Sequence, residues 1–220
     1  MGTELDLMRL YPKPKNRMSE RPVISDEDRK ISRRFDSDYF DGDRRHGYGG
    51  FSYHPRFWTE TVDLITNHYG LREDCSILDV GCAKGFMLKD FSIRLPNAQL
   101  AGIDVSPYAI EHAEQDIQPF LQIASADALP FDDGSFDLVI SINTIHNLDR
   151  EGCLRAFKEV ERVGRGNAFV MVDGWKSEHE RELLLRWVLT AKTMLSADDW
   201  LVLMAEAGYT GDYAFWSPLN

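Results

Sequence analysis

The chain has 220 residues, 43% hydrophobic and 28% charged, with a formal net charge of −11. These values fit one ordinary domain with a sizeable core and exclude a collagen-like, low-complexity or wholly disordered chain. No apolar run approaches the roughly 20 residues of a membrane span, and the first residues carry no signal-peptide core, so no membrane association is expected. Cys75, Cys82 and Cys153 are widely spaced without a CxxC pair. That pattern predicts neither a disulfide framework nor a zinc site, and suits a reducing cytoplasm.

The charge is unevenly divided. Residues 1–50 hold 11 basic and 10 acidic side chains, whereas residues 51–220 hold 14 basic against 26 acidic. A body that acidic repels phosphate backbones, which disfavours a nucleic-acid substrate. Residues 1–35 read as an extended, solvated arm followed by a short helix capped by Ser25, and the segment 9–17 carries four basic residues and no acid. The stretch 41–53 (DGDRRHGYGGFSY) packs four glycines among aromatics, which predicts a mobile or tightly turned loop. Residues 1–54 are thus expected to form an arm, a short helix and a lid loop, and 55–220 the main domain.

From Pro55 an apolar stripe of Phe57, Trp58, Val62, Leu64 and Ile65 predicts a helix stopped by Gly70. Strands and helices then alternate. Strands are expected at 76–80, 99–104, 120–124, 135–143, 167–173 and 211–216. Helices are expected at 84–94, 107–116, 149–163, 178–189 and from the Ser196 cap to Gly208. This alternation means a parallel sheet covered by helices on both faces.

In such sheets ligands bind beyond the carboxyl ends of the strands. The first strand runs into ILDVGCAKGF (77–86), a turn kept free of bulk by Gly81, Ala83 and Gly85. The spacing is neither GxGxxG nor GxxxxGK[ST], which argues against a nicotinamide site and a Walker loop. The turn resembles the first motif of class I S-adenosylmethionine-dependent methyltransferases. Later segments of that family find counterparts in Gly102-Ile-Asp104, SADALP (125–130), FDDGSFDLVI (131–140) and AEAGY (205–209).

The resemblance implies a Rossmann-like, mostly parallel, seven-stranded-type sheet. Only one strand is visible after Gly208, so its C-terminal edge is expected to be shortened or completed by residues 189–194. It also implies S-adenosylmethionine as cofactor, S-adenosylhomocysteine as product, and cofactor contacts from Asp79, Gly81, Cys82, Ala83, Gly85, Asp104, Val105, Asp127, Ala128, Asn143 and Tyr48. Asp79 is expected to reach the methionine ammonium directly or through water, Asp104 the ribose hydroxyls, Asp127 the adenine amine and Val105 the adenine face. Tyr48 or Tyr53 is expected over the methionine end if the lid folds inward. Cys82 reads as a small loop residue rather than a nucleophile.

His146, after the fourth predicted strand, is the candidate catalytic base, because neutral imidazole accepts a proton near neutral pH. The competing reading is a histidine capping the helix that begins near Asp149. Trp175 and His179 are candidates for the acceptor pocket, while Trp187 and Trp200 read as core. No metal is expected, since His46, His54 and His146 share no ligand spacing. The resulting expectation is methyl transfer to an oxygen or nitrogen of a small molecule such as a sugar or secondary metabolite. A protein or RNA methyltransferase and a non-catalytic cofactor-binding module are the alternatives.

Overall fold

A computed structural model describes residues 2–13 and 22–219. The basic residues Lys15 and Arg17 of the expected arm lie outside the described residues. Seven strands form one sheet: β1 Ser76–Val80, β2 Gln99–Asp104, β3 Leu121–Ile123, β4 Leu138–Ile142, β5 Ala168–Trp175, β6 Leu195–Ser196 and β7 Asp212–Trp216. The order runs β3-β2-β1-β4-β5. Beyond β5, its outer edge pairs with β7 over Phe169–Asp173 and with the two-residue β6 over Gly174–Trp175. Every pairing is parallel. The chain leaves β1 in one direction and returns at β4 in the other, so the strand order reverses between them.

The helices are α1 Asp26–Ser32, α2 Ser37–Phe40, α3 Pro55–Tyr69, α4 Phe86–Arg94, α5 Pro107–Glu111, α6 Arg150–Val163, α7 Glu178–Trp187 and α8 Ala197–Ala207. Alternate residues of the inner strands feed two cores. Leu78, Val80, Val139, Val170 and Val172 pack with Phe157 and Val160 of α6 and Trp200 and Met204 of α8. Ile77, Leu138, Ile140, Phe169 and Met171 pack with Val62 and Ile65 of α3 and Leu88 and Phe91 of α4. Caps end these helices where the sequence marks them: Ser25, Asp149, Ser177 and Ser196 accept backbone N–H groups, and Gly70 and Gly208 take left-handed conformations.

Several boundaries differ from expectation. α4 begins at Phe86, because Gly85 is its left-handed N-cap and Lys84 belongs to the turn. α5 stops at Glu111 instead of 116, because the Gln118 side chain donates to the carbonyls of Ile110 and Glu111 and Ile117 is buried against the sheet. The sheet is indeed short at its C-terminal edge, but residues 189–194 do not complete it; Leu195–Ser196 adds the small β6.

The first residues are no solvated arm. Leu5 donates to the carbonyl of Tyr213, Tyr213 to that of Thr3, and Gly2 to that of Gly211, so the segment lies along the free edge of β7. Leu7 is buried in the α3–α4 core, and Tyr11 packs edge-on to Trp58 at 4.9 Å. Leu7→Ala is expected to lower the unfolding free energy by about 2–3 kcal/mol, near the lower end for a buried leucine. A shift in the urea midpoint at constant slope measures it.

Candidate functional site

The carboxyl ends of β1, β2, β4 and β5 open into a cavity of about 1340 Å³. That exceeds the roughly 300–1,000 Å³ of a site for one drug-sized ligand, so there is room for two small molecules together. Its floor is built by the turn after β1. Gly81 holds φ +85° and an added Cβ would run into Thr144, so the turn passes close under the loop after β4. Ala83 also takes a left-handed conformation, φ +50°, where glycine is usual. Its N–H donates to Asp104 Oδ2 at 2.9 Å, and Ser106 N donates to Oδ1 at 2.9 Å. Asp104 therefore ties the β1 turn to the end of β2 while each of its oxygens keeps lone-pair capacity.

Asp79 is 4% exposed and lines the same cavity. Burial, with the Asp104 charge adding to it, pushes its carboxyl up to about 8, and burial also raises Asp104. Two desolvated carboxylates side by side favour a ligand that brings hydroxyls and positive charge. Across the cavity, Asn143 holds φ +53°, and the side-chain oxygens of Asn143 and Asn147 are buried without hydrogen-bond partners among the described residues. These unsatisfied acceptors also fit a ligand that carries donors. The exposed side chain of Val105 adds an apolar wall.

The roof comes from residues 35–51. Lys84, 5% exposed, reaches out of the β1 turn to Asp41 Oδ1 and Oδ2 at 2.6 and 2.7 Å and to the carbonyl of Phe51 at 2.9 Å. Tyr108 of α5 donates to the same Asp41 at 2.7 Å. The Ser106 hydroxyl donates to the carbonyl of Phe35. Tyr48 accepts from Leu189 N at 2.8 Å and stacks on Trp187, so the roof is fastened on the β5 side as well. Arg29 and Arg33 donate to carbonyls of residues 185–191.

Of the residues expected at the cofactor, Tyr48, Asp79, Gly81, Cys82, Ala83, Asp104, Val105 and Asn143 line the cavity. Gly85 does not; it lies against Ile117 and Leu121 and leaves room for them. Asp127 and Ala128 are also outside the wall, which Ser125 and Ala126 form instead. The Asp127 carboxylate turns away to Arg155, at 2.7 Å, and is held well ionised by Ser125 and Arg155. Burial keeps the Cys82 thiol protonated.

His146 departs most from expectation. It is 3% exposed, in the turn Ile145–Asn147, and forms part of the cavity floor rather than its rim. It does not cap α6, which Asp149 does. Its Nδ1 accepts from Asp173 N at 2.9 Å. A backbone amide can only donate, so the neutral ring carries its proton on Nε2 and has no lone pair left to take another. Burial lowers its pKa to about 3, which keeps the ring neutral. His146 is thus corrected from proton acceptor to a fixed neutral donor. His46 pairs with Asp28 and His54 caps α3, so the three histidines have separate partners. Trp175 and His179 lie off the cavity, and Trp187, buried as expected, also forms part of its wall.

Sequence reasoning missed Lys84, Asp41 and Asp173. Lys84 had a signal, a lysine inside a glycine turn where no phosphate motif explains it.

Residues 77–167 match the family described as a methyltransferase domain. Among curated relatives, the malonyl-[acyl-carrier protein] O-methyltransferase of Legionella pneumophila is 34% identical over 115 residues, 50% of this chain and 40% of that one. The O-methyltransferase cnsE of Penicillium expansum is 31% identical over 163 residues, 67% of this chain and 58% of its own. The chain therefore spans between two-fifths and three-fifths of the length of these relatives. The YcgJ protein of Bacillus subtilis shares the fold with a TM-score of 0.54 at 21% identity, over 66% of each chain. The matched span begins in β1 and ends before β5, the half of the sheet that builds the cavity floor; residues 77–167 are a methyltransferase domain, and the topology is that of the class I S-adenosylmethionine-dependent methyltransferases the chain resembles.

Proposed function

We propose that this chain transfers a methyl group from S-adenosylmethionine to an oxygen or nitrogen of a small molecule. The observation that carries the reading is the buried pair Asp79 and Asp104, opening on one cavity with a turn that only small residues fit. In this reading Asp104 receives the ribose hydroxyls with the lone pairs that Ala83 and Ser106 leave unused. Asp79 offsets the ammonium, and Gly81, Cys82 and Ala83 let backbone approach. Val105, Ser125 and Ala126 flank the adenine, and Asn143 and Tyr48 bound the methionine end.

When bound, the cofactor supplies an already activated sulfonium methyl. The protein's share is alignment and the exclusion of water, and orientation alone is worth about 7–11 kcal/mol of barrier in favourable cases. The clasped roof of residues 35–51 serves both, as a lid over the cofactor. The acidic body and the roofed cavity favour a small acceptor over a nucleic acid. No described helix is long and apolar enough to cross a membrane. With all three cysteines free and buried, a reducing cytoplasmic setting fits.

Calorimetric titration of S-adenosylhomocysteine and S-adenosylmethionine into the protein tests the reading. Binding of both in the micromolar range at one site per chain is expected. Absence of binding by either overturns it.

A further inference from the structure

At the end of β5, Asp173 is 4% exposed and lines the cavity. Its carboxylate makes no hydrogen bond to the described residues; His146 Nε2 lies 3.7 Å from Oδ2. A buried carboxylate left without donors is costly, and where it faces a ligand cavity it is free to take a proton from the ligand. Everything around it is fixed. Asp173 N donates to His146 Nδ1 at 2.9 Å, and Trp200 Nε1 donates to the Asp173 carbonyl at 2.8 Å. The His146 carbonyl accepts from Lys192 N and Thr193 N, both at 3.0 Å. The ring is therefore locked with its Nε2–H toward the carboxylate.

This part of the cavity lies beyond β4 from Asp79 and Asp104, and its walls are flat and apolar. Trp187 stacks with Tyr48 and tilts against Trp216 at 5.6 Å. Aromatic walls beside a proton-accepting group suit an aromatic ring that bears one hydroxyl.

We propose that Asp173 accepts the acceptor's proton, that His146 is the positioning residue that orients it, and that the acceptor is a hydroxylated aromatic molecule. The assignment rests on the methyl-transfer reading above. As the hydroxyl oxygen bonds to the methyl carbon, the carbon–sulfur bond breaks with its electron pair going to sulfur. The hydroxyl proton passes to a carboxylate oxygen of Asp173 and then to solvent. The sulfonium charge is lost, and the products are an aryl methyl ether and the thioether.

Burial raises the Asp173 carboxyl to about 8, so the base form is a minority at neutral pH and grows as pH rises. Among the described residues, the other titratable groups facing this region are neutral His146, the Tyr48 phenol, Asp79 beyond β4, and the exposed Lys176 and Lys192 at the mouth, Lys176 being paired to Glu4.

The test uses 4-fluorophenol, with 4-fluoroanisole as the control that lacks the hydroxyl, both followed by fluorine NMR. On protein saturated with S-adenosylhomocysteine, the phenol is expected to bind at least tenfold tighter than the anisole, and Asp173→Asn to abolish that preference without changing S-adenosylhomocysteine affinity. Unchanged cofactor affinity also shows that the variant is folded, and Asp173→Ser serves as a second variant. With S-adenosylmethionine, wild type is expected to form 4-fluoroanisole at a rate rising tenfold per pH unit toward about 8 before levelling. Asp173→Asn is expected to be about 100-fold slower, the lower end for loss of a general base, and to lack the rise. His146→Asn keeps an acceptor near the Nδ1 position but removes the Nε2–H, so the rise is expected at higher pH.

A phenol that is neither bound nor methylated by a protein that binds S-adenosylhomocysteine overturns the acceptor class. An Asp173→Asn rate equal to wild type overturns the proton acceptor. A pH profile unmoved in His146→Asn overturns the positioning role. Failure of wild type to bind S-adenosylhomocysteine at all removes the underlying reading instead.

Discussion

Asp104→Ala is expected to weaken S-adenosylhomocysteine binding by at least a hundredfold. Two hydroxyls donating to one carboxylate are worth about 1.5–3 kcal/mol each when the acceptor is charged. Together that is about 3–6 kcal/mol, or a factor of roughly 10² to 10⁴ in affinity. The substitution also leaves Ala83 N and Ser106 N without their acceptor, so the turn loses the tie that holds Ala83 at its left-handed φ. Asp104→Asn keeps one oxygen and the side-chain shape and is expected to lose only about tenfold. Burial raises the Asp104 carboxyl, so the ionised form that binds hydroxyls best is depleted at a higher pH than for an ordinary aspartate. Wild-type affinity should accordingly fall as the solution is acidified, and the alanine variant should not follow. A calorimetric loss of less than threefold for Asp104→Ala would falsify the ribose assignment.

The second large effect concerns the roof. Lys84→Met removes the cation of an ion pair that is buried on the lysine side and about one-third exposed on the aspartate side. Breaking a fully buried pair costs about 3–5 kcal/mol; solvent at Asp41 reduces that here to about 2–3 kcal/mol. The loss should be local before it is global. Asp41 keeps Tyr108, but the carbonyl of Phe51 loses its donor and residues 41–51 lose their attachment to the β1 turn. Limited proteolysis is expected to cut within 41–51 at least tenfold faster in Lys84→Met, with α6 and α8 still protected. Because the lysine belongs to the cofactor turn, S-adenosylhomocysteine should slow that cleavage in wild type and hardly at all in the variant. Adding Asp41→Asn to Lys84→Met removes the stranded charge and is expected to restore part of the stability, a coupling that a double-mutant cycle measures. Equal cleavage rates in wild type and Lys84→Met would rule out the clasp.

The inner sheet was legible because its signals are local. SILDV, interrupted by Asp79 alone after its serine, and the AFVMV of NAFVMVD are short apolar runs bounded by turns, and Ser196 and Gly208 mark α8 at both ends. The same holds for Asp79, Asp104 and the small residues between them, since a strand end and its turn are consecutive in sequence. The edge of the sheet was not legible. The alternation of DYAFW shows a strand but says nothing of which neighbour it pairs with, and here Asp212–Trp216 runs parallel beside β5 while residues 2–5 cover its far side. Nor does spacing encode the Lys84–Asp41 pair, whose partners are 43 positions apart. For His146 the residue type was visible, but the use of its one lone pair was not, because that depends on the backbone amide of Asp173, 27 residues later. Asp127 looked like a cofactor contact until Arg155 of α6 drew it away.

The seam between the first residues and β7 also sets an order of assembly. Thr3 reaches Asp212 across 209 positions of chain, about as non-local as a contact in this protein can be. During synthesis residues 2–5 have no strand to lie on until β7 has left the ribosome, and the inner sheet can form in the interval. Leu7 and the roof that follows it thus join a body already built. A nascent chain halted before β7 would carry the cofactor turn but not a seated cover, which makes the finishing of the binding cleft wait for β7.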